Sequence, residues 1–319
     1  MLRPMNFRPL GDTGRFVTSI GLGSQTVGGL GYGEQDQSES QAAVERYLTG
    51  GGRFIDSARG YGTSEIHVGR AIKACGLADD EVVVCSKTGT LHPPCAAADL
   101  DVSRFCLQRD WIDVYYVHVP SPDPAKHDKI VDAFCGYRER GLIRHVGLSC
   151  RDITDPAHQD EIRGWIADTR VDVIQFPCNC SMPIAADLVA EAAAAGTAAV
   201  CRGTAQAGLF DDRLDPDTRF TDTDNDWKAG RDPARMREAL AIVQGIKLDL
   251  LEPPYQNVIQ LSQRWVLDQP GVSAIIAGSG SIEEVDALLA VDHLPPLPDD
   301  LAAELVRRTA PIQQLIRRG

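Results

Sequence analysis

Asp56, Tyr61, Lys87 and His118 are the residues of this chain whose types and positions combine into one chemistry. Asp56 ends the run Arg53–Asp56, Lys87 follows Val82–Ser86, and His118 ends Ile112–His118. Each therefore stands at the C-terminal end of a short β-branched stretch. Tyr61 lies a few residues past Asp56, in a Gly-Tyr-Gly turn able to swing its hydroxyl toward the others. A free tyrosine hydroxyl has a pKa of about 10 and exchanges protons poorly near neutrality. An ammonium beside it favours the phenolate, and in a dry site that ammonium needs an anion, which Asp56 can supply. A neutral histidine can then orient a carbonyl oxygen toward the tyrosine. The set suits general acid–base chemistry at a carbonyl or an alcohol. Taken singly, each residue has a plainer reading: a Lys or Asp at a strand end is usually a solvated terminus, and a His after Tyr-Tyr-Val is usually a hydrogen-bonded core residue. Their matched positions are what argue for function.

Matched positions require a scaffold of repeated strands. Short apolar runs alternate with helical patterns along nearly the whole chain: Ser19–Gly21, Arg53–Asp56, Val82–Ser86, Ile112–His118, His145–Ser149, Val171–Phe176, Ala198–Arg202 and Val272–Gly278. Between most of them the apolar spacing is helical, as in Gln41–Leu48, Ile130–Arg140 and Ile184–Ala194. Parallel strands joined by helical crossovers follow, and eight repeats predict an α/β fold, a closed (β/α)₈ TIM barrel. An open doubly wound sheet competes, but no Gly-x-Gly-x-x-Gly turn follows an early strand. Barrel enzymes gather polar residues from strand C-termini at one mouth, which is where the four residues fall. Phe7–Val17, around Gly11-Asp12-Thr13-Gly14, reads as an N-terminal β-hairpin. The long Asp-, Gly- and Thr-rich stretch from Gly203 to Pro233 follows the seventh strand and reads as a lid, with Trp227 as an anchor or substrate cover. The whole chain, 1–319, is expected to form a single such barrel.

Composition narrows the function. Of 319 residues 43% are hydrophobic and 24% charged, enough apolar surface for a sizeable core. The balance of 32 Lys plus Arg against 45 Asp plus Glu gives a net charge of −13. With no basic block, nucleic acid and an anionic membrane are not the expected partners. No apolar run reaches the roughly 20 residues of a membrane span, and Met1–Arg15 has no signal-type apolar core. The nine cysteines, odd in number, lie between positions 75 and 201, mostly in apolar stretches. That usage predicts free thiols in a reducing cytoplasm.

The stretch Phe54-Ile55-Asp56-Ser57-Ala58-Arg59-Gly60-Tyr61-Gly62-Thr63-Ser64-Glu65 resembles the signature of the aldo-keto reductase family. Arg8–Gly14 with Gly21-Leu22-Gly23 is similar to that family's opening hairpin and first strand. Ser86–Gly89, Ile112–His118, Gly141–Ser149 and Gln260–Gly278 match it in order. The resemblance implies a nicotinamide cofactor lying extended across the barrel mouth. It further implies Tyr61 as proton donor, Lys87 and Asp56 as its tuning pair, and His118 as substrate orienter. Gly23, Ser149, Cys150, Gln175, Arg202, Thr204, Gly278, Ser279, Ser281 and Glu284 fall where the family holds that cofactor.

The departures from the pattern are informative. Cys150 replaces the usual asparagine carboxamide ligand and is a poor hydrogen-bond partner. Arg202 stands where many members stack an aromatic ring; its planar guanidinium can stack too, or bind a phosphate or an acidic substrate. Gly280, Glu284 and Leu288 occupy positions that are commonly basic or amide in the family, which predicts a weak preference for NAD(H) over NADP(H). Arg213, Arg219, Lys228 and Arg231 are available for a pyrophosphate. Cys150, Cys178, Cys180 and Cys201 invite a metal reading, but Cys-x-Cys spacing alone is weak and no metal is expected. The expected function is therefore hydride transfer between a nicotinamide cofactor and a small carbonyl or alcohol substrate. The alternatives are a barrel that binds a dinucleotide or ligand without reducing anything, and a lyase or isomerase that uses the same tyrosine.

Overall fold

The computed structural model describes residues 4–30, 39–151, 153–220 and 228–316. Trp227 lies outside the described residues. The chain opens with an antiparallel hairpin, β1 (Phe7–Pro9) and β2 (Phe16–Thr18), with Arg8 opposite Val17. Eight parallel strands then close a barrel: β3 (Ile20–Gly23), β4 (Phe54–Asp56), β5 (Val83–Thr88), β6 (Ile112–His118), β7 (Ile143–Ser149), β8 (Val173–Pro177), β9 (Ala198–Arg202) and β10 (Val272–Gly278), the last pairing with the first. The helices are α1 (Ser40–Thr49), α2 (Ser64–Ala74), α3 (Pro93–Leu107), α4 (Pro124–Glu139), α5 (Pro156–Ile166), α6 (Ile184–Ala194), α7 (Pro233–Asp249), α8 (Val258–Asp268), α9 (Ile282–Ala290), α10 (Asp299–Thr309) and α11 (Ile312–Ile316). The expected (β/α)₈ barrel with an N-terminal hairpin is what the chain forms. None of the helices, among the described residues, is long and apolar enough to cross a membrane.

Side chains on a strand alternate between its two faces, and the barrel sorts them into two cores. The inner core holds Phe54, Val83, Cys85, Val114, Tyr116, Val173, Ala198, Val200, Ala274 and Ile276, closed from below by Leu10 and Val17 of the hairpin segment. The outer core fills the space between strands and helices. Two strands contribute glycine to the interior: a Cβ on Gly21 would strike Ile276 and Phe54, and one on Gly147 would strike the Tyr116 ring. Arg8 fastens the hairpin through bonds to the carbonyls of Val272 and Leu267, at 3.1 and 2.9 Å.

Some boundaries depart from the sequence reading for physical reasons. Lys87 does not follow its strand; it lies within it, because β5 continues to Thr88 in register with β6. The fourth helix begins at Pro124 instead of Ile130, since Asp123 caps it by accepting from the Ala125 N–H and proline suits the first turn. After β9 the chain from Gly203 turns repeatedly without regular structure up to residue 220. Its first part is anchored: Leu209 and Phe210 are buried in the outer core, and Asn179 Nδ2 donates to the Gly203 carbonyl at 3.0 Å.

Candidate active site

Continuing the inner-core lines by one more alternation reaches the barrel mouth. Phe54 leads to Asp56, Cys85 to Lys87, Tyr116 to His118, Val173 to Gln175, Val200 to Arg202 and Ile276 to Gly278. The two interior glycines lead likewise to Gly23 and Ser149. Strand period and barrel closure therefore bring residues far apart in sequence to one ring of positions.

Lys87 and Asp56 form the buried centre. Lys87 Nζ donates to Asp56 Oδ2 at 2.5 Å and to the Ser57 carbonyl at 2.9 Å. Burial alone would push the Lys87 ammonium down, but the charges of Asp56 and Tyr61 and the bond to Asp56 carry it above its ordinary value. Asp56 Oδ1 accepts from Gln175 Nε2 at 3.0 Å, and Ser149 Oγ donates to Gln175 Oε1 at 3.0 Å. A chain of polar contacts thus runs from Lys87 through Asp56 and Gln175 to Ser149. The Lys87 ammonium lies 5.2 Å from the Tyr61 ring centroid and 5.5 Å from that of Tyr116.

Tyr61 and His118 flank this pair. Their rings meet edge to face, with centroids 5.9 Å apart at 85°. Burial, then the charges of Lys87, Arg202 and Arg151, push the His118 imidazolium down to about 3, so the ring is neutral at any physiological pH. Immediately after it Val119 takes φ +68°, which costs a β-branched residue about 1–3 kcal/mol, and its N–H donates to the Ser149 carbonyl at 2.9 Å. The chain leaves the barrel sharply there, with His118 at the rim. The Tyr61 turn is held from outside: a Cβ on Gly28 would collide with the Tyr61 carbonyl.

Three serines absent from the sequence reading as site residues tie this turn down. Ser24 Oγ donates to the Asp56 carbonyl at 2.9 Å, and the hydroxyls of Ser24 and Ser57 both meet Ser64 Oγ, at 2.5 and 2.7 Å. Buried Glu65 adds an ion pair with Arg59 and accepts from Ser86 Oγ at 2.6 Å. Serine and glycine mark a turn in the sequence, but they carry no period from which such a network could be read.

The expected cofactor residues lie along the rim and in the loops beyond it. Gly23 and Gly278 stand in register on neighbouring strands, leaving the mouth floor free of side chains between them. Beside them Thr26 Oγ1 is buried without a hydrogen-bond partner among the described residues, near enough to Gly280 that a Cβ there would lie 3.5 Å away. A bare floor with an unsatisfied hydroxyl fits a polar, extended ligand. Arg202 donates to the Cys150 carbonyl, while burial pushes the Cys150 thiol up to about 12 and keeps it neutral. Thr204 is turned inward, its carbonyl accepting from Ser262 Oγ at 2.6 Å. Ser279 is buried, and Ser281 caps α9 by accepting from the Glu284 N–H at 3.2 Å. Glu284 reaches back to accept from the Gly280 N–H at 2.8 Å, so it also serves the helix terminus. Leu288 is buried in the outer core and does not face the mouth; the helix turns that position inward. Arg213 pairs with Asp211 and lies close enough to Glu284 and Glu283 for their charges to raise it further. Arg219 donates to the Asp217 carbonyl at 2.7 Å, and Lys228 lies 5.3 Å from the Phe220 ring centroid. Cys178, Cys180 and Cys201 are buried free thiols. Among the described residues no three His, Cys, Asp or Glu side chains group as a metal site would require.

Comparison with known proteins gives the family and the fold. The model of the aldo/keto reductase family matches residues 19–307. The chain is 29% identical over 310 residues to the aldo-keto reductase YhdN of Bacillus subtilis, covering 89% of this chain and 88% of that one. Its fold is similar to the aldo-keto reductase AKR11C1 of Bacillus halodurans in its holo form, with a TM-score of 0.72 at 21% identity over 99% of this chain and 97% of that one. It is likewise similar to the glycerol dehydrogenase AKR11B4 of Gluconobacter oxydans, with a TM-score of 0.77 at 22% identity over 96% of each.

Proposed function

The chain belongs to the aldo/keto reductase family, and on that premise we propose that it catalyses reversible hydride transfer between a nicotinamide cofactor and a carbonyl or alcohol substrate, with Tyr61 as proton donor. The observation that carries the reading is the Lys87–Asp56 pair, buried at 2.5 Å with its ammonium 5.2 Å from the Tyr61 ring centroid. Burying two charges costs several kcal/mol of desolvation per ion, and a barrel that only binds ligands has no use for such a pair beneath a tyrosine.

The geometry supports the following roles. Neutral His118 donates a ring N–H to the substrate carbonyl oxygen and holds it beside the Tyr61 hydroxyl. Tyr61 passes its proton to that oxygen as negative charge develops there, and Lys87 stabilises the phenolate left behind. Asp56 keeps Lys87 charged and aimed, while Gln175 keeps Asp56 aimed. A bound nicotinamide supplies the hydride, or accepts it in the oxidative direction. Ser149 and Gln175 would hold its amide end, and Cys150 and Arg202 would line the site beside it. Gly23, Gly278, Ser279 and Ser281 would line its phosphates, and Thr204 would support that wall from behind.

The same residues favour NADH. Glu284 occupies the Gly280 N–H that a phosphate would otherwise use, and its charge repels a 2′-phosphate. At a separation near 4 Å and an effective dielectric of about 20, that repulsion amounts to several kcal/mol per unit charge before screening. The opposing cation, Arg213, is held by Asp211. Fluorescence titration of the protein with NADH and NADPH tests the reading: saturable binding of both is expected, tighter for NADH. Binding of neither would overturn the function, and tighter binding of NADPH would overturn the preference.

A further inference from the structure

Arg202 sits half-buried at the rim, ending the inward line of β9. One of its N–H groups donates to the Cys150 carbonyl, which lays the guanidinium across the end of β7. Among the described residues the guanidinium has no other acceptor and no carboxylate partner. Of the cations that end the inward strand lines, Arg202 is the one without a carboxylate, whereas Arg138, Arg163, Arg170 and Arg308 on the outside of the barrel each engage one. Lys87, across the ring on β5, is matched by Asp56. Arg151 follows Cys150 directly, and its charge and that of Arg202 both reach His118. Arg202 thus stands at the rim as a cation without a carboxylate, within a protein of net charge −13.

We propose that the substrate is a carbonyl compound bearing an oxyanion, carboxylate or phosphate, near its carbonyl, gripped by the edge of the Arg202 guanidinium with Arg151 adding charge beside it. The inference rests on the reading of the site as a carbonyl reductase and names its substrate class. A guanidinium has five N–H donors in one plane. With one bonded to Cys150, the remaining edge suits the two oxygens of a carboxylate or phosphate, while the face stays available to the nicotinamide. An anion there matches a charge that otherwise has no protein partner. Because the net charge repels anions at a distance and salt screens beyond about 8–10 Å, the recognition is short-ranged. It shows itself as substrate discrimination rather than as an accelerated encounter.

Matched pairs of aldehydes test it: succinic semialdehyde against butanal, and glyceraldehyde phosphate against glyceraldehyde. Wild-type protein with NADH should show a kcat/KM roughly 10- to 100-fold higher for the anionic member of a pair, the size of one charge-assisted hydrogen bond. Arg202→Gln should abolish most of that ratio, and Arg151→Gln should reduce it. Any loss of cofactor affinity cancels in the ratio, which a merely structural role for Arg202 would leave unchanged. The pair showing the larger ratio identifies the oxyanion. Equal rates within both pairs, or a ratio untouched in Arg202→Gln, would overturn the proposal. Calorimetric titration with succinate and with inorganic phosphate gives a second readout independent of turnover. If no aldehyde is reduced yet one of these anions binds in an Arg202-dependent way, the anion site stands and the reductase reading fails. If no aldehyde is reduced and neither anion binds, both fail.

Discussion

A lysine ammonium with no exposed surface survives only because Asp56 and Ser57 receive two of its three N–H groups. Lys87→Met removes the cation and leaves the Asp56 carboxylate buried without it. Stability should fall by about 3–5 kcal/mol, the cost of stranding one member of a buried pair. Turnover should fall roughly 10²–10⁴-fold, as for other positioned acid–base machinery. Denaturant unfolding and steady-state rates measure the two effects, and a variant that kept its rate would remove Lys87 from the mechanism. His118 gives a pH prediction. Burial, helped by the nearby cations, lowers its value from 6.5 to about 3, so between those limits the unfolded chain binds a proton that the folded chain does not. Stability supplied by neutral His118 is therefore complete above 6.5 and is lost as pH falls toward 3. Unfolding free energies across that window should decline more steeply for wild type than for His118→Gln; parallel curves would show that the imidazole is not held neutral by the fold.

At the scale of elements, the alternation of each strand does the positioning, and this explains what the sequence discloses. The runs Ile112–His118, Ala198–Arg202 and Val272–Gly278 are largely apolar stretches, each followed by a change to polar, Gly- or Pro-containing sequence, and they fold with the expected boundaries. Lys87 is misplaced relative to its strand in the sequence because a lysine reads as a terminus; only closure of the barrel makes it an inward residue following Val83 and Cys85. Leu288 resembles a cofactor position because sequence alone does not give the rotational phase of α9. The serine network around Asp56 has no periodic signal at all. Two substitutions separate the ends of the barrel. Leu10→Ala hollows the floor of the inner core and should cost about 2–5 kcal/mol, with kcat of the folded protein unchanged. Gly28→Ala pushes on the Tyr61 backbone and should lower kcat by up to about 10²-fold, since a displacement of around 1 Å in a catalytic group is that expensive. If Leu10→Ala lost activity in proportion to Gly28→Ala, the two ends would not be independent.

The whole molecule is an acidic barrel whose mouth gathers Lys87 and Arg202 from the C-terminal parts of β5 and β9. The proposed preference for NADH is tested at the start of α9, where Glu284 bonds Gly280 while Arg213 approaches from the loop after β9. Glu284→Arg should shift preference toward NADPH by about tenfold or more, the scale of one new charge-assisted bond to phosphate together with the removal of a repulsion. An unchanged ratio of NADPH to NADH affinity would place the 2′-phosphate elsewhere. The central claim, that Tyr61 delivers a proton during nicotinamide-dependent reduction, is tested most directly by following NADH oxidation against alcohol formation in wild type and Tyr61→Phe at saturating cofactor. One NADH consumed per alcohol formed is expected in wild type, with a loss of roughly 10²–10⁴-fold in the variant at nearly unchanged NADH affinity. Near wild-type turnover by Tyr61→Phe would contradict the account.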